Sequence, residues 1–174
     1  MEIDSLSVDL QSLPKLNLPS LEAVQKELQE RSPYDFLQAA WDVIEPHTDY
    51  VHNWHIDDLL EHFQLVVEGE ITRLIVNLPP RNMKSIPFSV VLPCWAWTKR
   101  PYLKWIFGSY SASLSTMHSV DRRLILESDW YRGFWPDAEL SADQNQKTEY
   151  TNKSTGAMIS TSVGGTITGK GADI

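Results

Sequence analysis

The sequence predicts an α/β fold with a mostly parallel sheet flanked by helices, and three observations carry that expectation. Leu74–Leu78 is an apolar run broken only by Asn77, the pattern of a buried strand. Ile86–Trp97 then places Phe88, Val91, Leu92 and Trp95 at helical core spacing, with Pro93 expected to kink or shorten the helix. A second strand is expected over Tyr102–Tyr110, followed by an amphipathic helix over Ser111–Glu127 with Leu114, Met117, Leu124 and Ile125 facing inward. Two strands separated by a helix of this size predict a parallel βαβ unit with a right-handed crossover.

At 174 residues, 42% of them hydrophobic, the chain is long enough for one globular domain with a sizeable core. We divide it into an N-terminal arm with short helices, residues 1–46, and the α/β domain, residues 47–174. Met1–Pro19 has leucines without sustained periodicity and reads as an extended or disordered arm. Ser20 is placed to cap a short helix with Leu21, Val24 and Leu28 on one face. Ser32-Pro33 opens a second helix, whose stripe is Leu37, Ala40, Trp41 and Ile44, and Pro46 ends it. After a polar, aromatic turn over His47–His55, a helix is expected over Ile56–Glu68. Its core face is Ile56, Leu59, Leu60, Phe63, Val66 and Val67, with Gly69 as the stop. Ser128–Asp137 reads as an irregular aromatic elbow. Lys147–Val163 reads as a hairpin turning at Lys153-Ser154-Thr155-Gly156, and Gly164–Gly171 as a turn-rich loop that includes Thr166, Thr168 and Lys170.

Composition narrows the function classes. Cys94 is the only cysteine, which rules out an internal disulfide and fits a reducing compartment. The start, MEIDSLSVDL, lacks the basic and apolar pattern of a secretory signal. The longest apolar stretch, Phe88–Trp97, is too short to span a membrane and contains Pro93. The net charge of −8 is unevenly spread. Residues 1–70 hold 15 acids and 3 bases, net −12, and residues 71–174 hold 8 acids and 12 bases, net +4. The second part suits an approach to nucleotide or nucleic acid, which the first would repel.

The chemistry is concentrated in RLIVNLPPRNMKS, Arg73–Ser85. Strand, tight loop, Lys-Ser and helix is the layout of a P-loop, although Leu78 and Met83 stand where its two glycines belong. Backbone N–H groups at a helix N-terminus point at a phosphate, and the helix dipole favours its charge. In this layout Lys84 reaches the β/γ-phosphates and Ser85 offers its hydroxyl to Mg²⁺. Pro79 and Pro80 remove two donors, so the phosphate-facing N–H groups come mainly from Arg81 through Ser85. A positive φ at Met83 would cost roughly 1–2 kcal/mol. His47, His52, His55 and His62 fit no metal-ligand spacing and read as structural.

LPPRNMKS, the helix carrying Pro93-Cys94-Trp95, the GSYSASLS segment and the terminal GGTITGKGADI together resemble the ATPase domain of tailed-bacteriophage terminase large subunits. The resemblance covers about Trp54 to Ile174. It implies a RecA/ASCE-like P-loop NTPase fold, incomplete at the C-terminus, with a helical N-terminal segment. It also implies an ATP- and Mg²⁺-dependent motor that pumps double-stranded DNA into a capsid. The family's partners would be a portal protein, a small terminase subunit and further copies in a ring, in host cytoplasm and transiently docked on the procapsid, with no membrane. Pro80, Arg81, Asn82, Met83, Lys84 and Ser85 would cradle the nucleotide, with Arg81 and Lys84 catalytic and Ser85 on the metal. The family's tolerance of non-glycine residues implies a loop backbone that keeps Met83 out of the positive-φ region. Trp54 and His55 read equally as an adenine-flanking pair and as a core tryptophan beside a capping histidine. Arg122-Arg123 could act in trans on a neighbour's site, but a solvated helix face is the favoured reading. The family's next element, a strand ending in paired acids, would begin where Gly171-Ala172-Asp173-Ile174 stands, so the chain alone is expected to be inactive. Two alternatives remain: another nucleic-acid-dependent ATPase of helicase type, or a non-catalytic nucleotide- or DNA-binding remnant or split-gene fragment.

Overall fold

The computed structural model describes residues 18–165, 167 and 169–174. The arm before residue 18, and Thr166 and Thr168 of the glycine loop, lie outside the described residues. Local chemistry sets the helices much as expected. Ser20 Oγ accepts from Ala23 N at 3.1 Å and starts α1 (Leu21–Arg31). Ser32 Oγ accepts from Asp35 N at 3.2 Å and starts α2 (Pro33–Ile44), with Pro33 at the first turn. α3 (Trp54–Glu68) ends at Gly69, whose φ of 86° is the left-handed stop that glycine accepts without penalty. Leu21, Val24 and Leu28 of α1 are exposed.

Proline chemistry shapes the next helical run. Ser85 begins it, Pro87–Val91 is a π-helical turn, and α4 (Leu92–Lys99) completes it. Pro93 has no N–H to give the carbonyl four residues back, Ser89 O. That carbonyl instead accepts from Nη1 of Arg122. The helix is therefore widened before Pro93, and the freed acceptor is used across the core.

The sheet overturns the predicted architecture. β1 (Lys104–Ser109), β2 (Leu140–Asn145), β3 (Glu149–Asn152) and β4 (Ala157–Ser162) form one sheet in the order β1-β4-β3-β2. Only β1 and β4 are parallel; β4–β3 and β3–β2 are antiparallel. This is a mixed sheet, not the mostly parallel sheet of a RecA/ASCE-like P-loop NTPase. The physical reason lies in Leu74–Leu78, which forms no strand. A strand exists through its partner's N–H and C=O groups, and here Ile75 stands exposed. The parallel partner of β1 is β4, reached through α5 (Ala112–Glu127), α6 (Asp129–Phe134), a 3₁₀ turn at Pro136–Ala138, and the meander. The expected hairpin is present, with Tyr150 opposite Met158. The expected irregular elbow contains α6 and the 3₁₀ turn.

Helices α2, α3, α4 and α5 pack with the sheet around a single core that includes Phe36, Leu37, Phe63, Trp95, Trp97, Trp105, Ile125 and Tyr150. Trp95 and Trp97 are fully buried, each removing transfer free energy on the order of 4–6 kcal/mol from water contact. Their indole N–H groups donate to Glu30 O at 3.2 Å and Leu103 O at 2.9 Å, which ties α4 to α1 and to the approach of β1. Residues of the 1–46 segment thus share the core with the rest. Among the described residues, no helix is long and apolar enough to cross a membrane.

The inward face of α5 is only partly the predicted one: Ile125 is buried as expected and Leu114 is half-buried. Met117 and Leu124 are exposed, and the buried positions are Ser115, Ser119, Arg122, Ile125 and Leu126. Arg122, expected on a solvated face, is completely buried. It donates to Tyr150 Oη at 2.9 Å, Ser89 O and Ser160 Oγ, and lies 3.7 Å over the Phe107 ring.

Candidate functional site

Pro79–Ser85 forms an exposed loop that runs directly into the helical segment starting at Ser85. Its shape comes from alternating backbone sign. Arg81 has φ 67° and Met83 has φ 51°, and Asn82 between them stays out of that region. The expectation that Met83 avoids positive φ is therefore corrected: the loop holds two non-glycine residues in the left-handed region, a strain of roughly 1–2 kcal/mol each. Half-burial of the Met83 side chain against the core offsets part of it. Asn82 clamps the turn, with Nδ2 donating to Pro79 O at 3.3 Å and Pro80 O at 3.4 Å.

Alternation of this kind turns successive N–H groups toward one side, the geometry of an anion-binding nest. The N–H groups of Arg81, Met83 and Lys84 donate to nothing among the described residues. Arg81 and Lys84 form no ion pair among them either, and both side chains are exposed. The loop lines a cavity of about 540 Å³. Lys84 and Ser85 also reach a neighbouring cavity of about 760 Å³. That cavity is walled by Phe63, Trp105 and Phe107, whose rings lie nearly parallel at 6.0 Å spacing.

The start of α3 comes beside this loop. His55 Nε2 lies 3.2 Å from Asn82 O, so one ring nitrogen bonds the loop backbone. Trp54 is exposed, edge-on to His55, and not the core tryptophan of the alternative reading. Thus His55 meets the Pro80–Ser85 loop through Asn82, with Trp54 against His55, and neither of the two lines the loop's cavities. Ser85 is exposed at the loop's end. A single hydroxyl beside a lysine fits the way Mg²⁺ is held with a nucleotide, through few protein oxygens and mostly phosphate and water. Among the described residues, no three His, Cys, Asp or Glu side chains converge on a metal-sized site. His52 pairs with Asp57 at 3.1 Å, and His62 Nδ1 lies 2.7 Å from Asp58 O.

Two features escaped the sequence reading. The aromatic wall of the larger cavity draws Phe63 from α3 and Trp105 and Phe107 from β1, which no local pattern brings together. Buried Arg122 had a legible signal: Ser115, Ser119 and Arg122 recur at helical spacing and form a polar stripe. Deep burial pushes the Cys94 thiol up to about 12, against the opposing pull of Arg122. Neither a scan against protein-family models nor comparisons with curated proteins and solved structures found a match.

Proposed function

We propose that this chain is the nucleotide-handling part of a phage terminase large subunit, coupling ATP hydrolysis to packaging of double-stranded DNA. The observation that carries the reading is the Arg81–Ser85 loop, whose N–H groups at Arg81, Met83 and Lys84 and whose Lys84 side chain have no partner among the described residues, at the head of a helical run. Lys84 neutralises charge on the β/γ-phosphates, and Ser85 offers its hydroxyl to Mg²⁺. Arg81, exposed on the same loop, meets the γ-phosphate, where charge grows during transfer. Trp54 and His55 flank the base, held to the loop by the His55–Asn82 contact. The terminal phosphate is transferred to water, and Mg²⁺ supplies charge neutralisation when bound. The working assembly is a homo-oligomeric ring on the portal protein, fed by a small terminase subunit, in host cytoplasm at the procapsid. Support for the motor and its partners comes from the motif order in the sequence; the loop geometry supports phosphate binding.

Calorimetric titration of Mg²⁺-ATP into the wild type and Lys84→Ala tests the reading. Weak binding by the wild type and its loss in the variant are expected. Equal binding by both, or by neither in a sample that melts cooperatively, removes the assignment.

A further inference from the structure

The geometry points to a second anion site, for one phosphate group, in the crevice between the N-terminus of α5 and β4. The crevice measures about 220 Å³ and is lined by Ala112, Ser115, Thr116, Thr148, Ser160 and Thr161, among others. It shares no lining residue with either cavity at the Arg81–Ser85 loop. Its volume falls below the roughly 300 Å³ at which pockets for whole small molecules begin. A single phosphate fits that size.

Its donors come from three places. Ser111 caps α5 by accepting from Leu114 N at 3.5 Å, and Ser115 N bonds Ser111 O at 3.0 Å. The N–H groups of Ala112 and Ser113 are left with no acceptor among the described residues. They sit at the positive end of a 16-residue helix. One turn further, Ser115 is only 6% exposed, and its hydroxyl has no partner among the described residues. A helical serine ordinarily bonds the carbonyl four residues back; this one lines the crevice instead.

The third donor reaches the crevice from Arg122. Ser160, 8% exposed on β4, accepts a hydrogen bond from Arg122 Nη2. Its own hydroxyl proton remains to donate, and no acceptor for it is present among the described residues. Among the described residues Arg122 touches no carboxylate: its partners there are a phenol, a carbonyl, a serine hydroxyl and the Phe107 face. A buried guanidinium with only neutral acceptors keeps its positive field, and Ser160 passes that field into the crevice. The nearest acid along β3, Glu149, is paired with Lys170.

The same phosphate chemistry can come from free phosphate or from the phosphodiester backbone of DNA, and amide NMR separates them. The protein is titrated with inorganic phosphate against a chloride control of equal ionic strength, and then with a short DNA duplex. The Ala112, Ser113 and Ser115 amides are expected to shift with phosphate and not with chloride. Shifts of the same amides by duplex identify the DNA backbone as the natural source; shifts by phosphate alone identify the free ion. Ala112→Pro removes one donor at a helix position where proline is favoured, behind a residue already extended at φ −118°, ψ 128°. Ala112→Pro and Ser115→Ala should each weaken the response roughly five- to tenfold, and Lys84→Ala should leave it intact. The proposal is overturned if neither anion moves these amides in a folded sample, or if both variants respond like wild type. It is equally overturned if Lys84→Ala abolishes the shifts, because they would then originate at the loop.

Discussion

Replacing Asn152 by alanine should destabilise the protein by about 2–4 kcal/mol, and the structure shows where the loss arises. Asn152 closes β3 and is 3% exposed. Its Oδ1 accepts from Ser154 N at 3.0 Å and Gly156 N at 2.8 Å, and its Nδ2 donates to Pro101 O at 2.6 Å. Two N–H groups on one side and a carbonyl on the other fix which end of the amide is oxygen. This side chain therefore shapes the β3–β4 turn and presses it onto the approach to β1. No larger residue fits nearby, because a Cβ on Gly156 would sit 2.0 Å from Pro101 O. Each hydrogen bond contributes about 0.5–1.5 kcal/mol net, and a buried group left unpaired costs about 1–3. Alanine leaves Pro101 O and Gly156 N–H stranded, while Ser154 N–H can turn to water. For a chain of this length the loss corresponds to a Tm drop of roughly 4–16 °C. Thermal unfolding of wild type and variant, with hydrogen exchange at Ser154 and Gly156, measures it. A Tm within about 1 °C of wild type, or unchanged protection of those two amides, would refute the reasoning.

Three further outcomes follow from particular environments. Met83→Gly should retain Mg²⁺-ATP binding, because glycine accepts φ 51°, whereas Met83→Ile should weaken it at least severalfold, since a β-branched residue resists that conformation; calorimetry distinguishes them, and equal affinities would mean the loop is not left-handed there. Cys94 should resist alkylation in the native protein at pH 8 and react only with unfolding, because burial holds its pKa near 12; rapid labelling without denaturant would contradict the packing. Burial, reinforced by Arg122 and opposed by Asp121, lowers the pKa of His118. The unfolded chain then takes up this proton first, near its ordinary value of about 6.5. Stability should therefore fall as pH drops from about 7.5 toward the lower folded pKa, and then level off. Asp121 is shifted upward, chiefly by burial, and acts with the opposite sign near the carboxylate range. Denaturant melts at several pH values should show the His118 slope flattened in His118→Gln; an unchanged slope would remove His118 as its source.

The helix ends were determined by the sequence itself, because capping is a contact between near neighbours. Ser20, Ser32, Ser111 and Gly69 each act within a few residues of the backbone groups they satisfy. The same locality made the Lys153–Gly156 turn readable, and it brought Arg81, Lys84 and Ser85 together on one short loop. Only the tertiary structure decided whether Leu74–Leu78 becomes a strand, since a five-residue segment cannot supply its own pairing partner. It also gave β1 its parallel neighbour β4, more than fifty residues along the chain. And it chose the polar stripe of α5 over Met117 and Leu124 for burial. Pro93 leaves Ser89 O without its helical donor, and Arg122 reaches that carbonyl from across the core. Such a contact is set by where two distant elements meet, a relation that neither periodicity nor composition along the chain encodes.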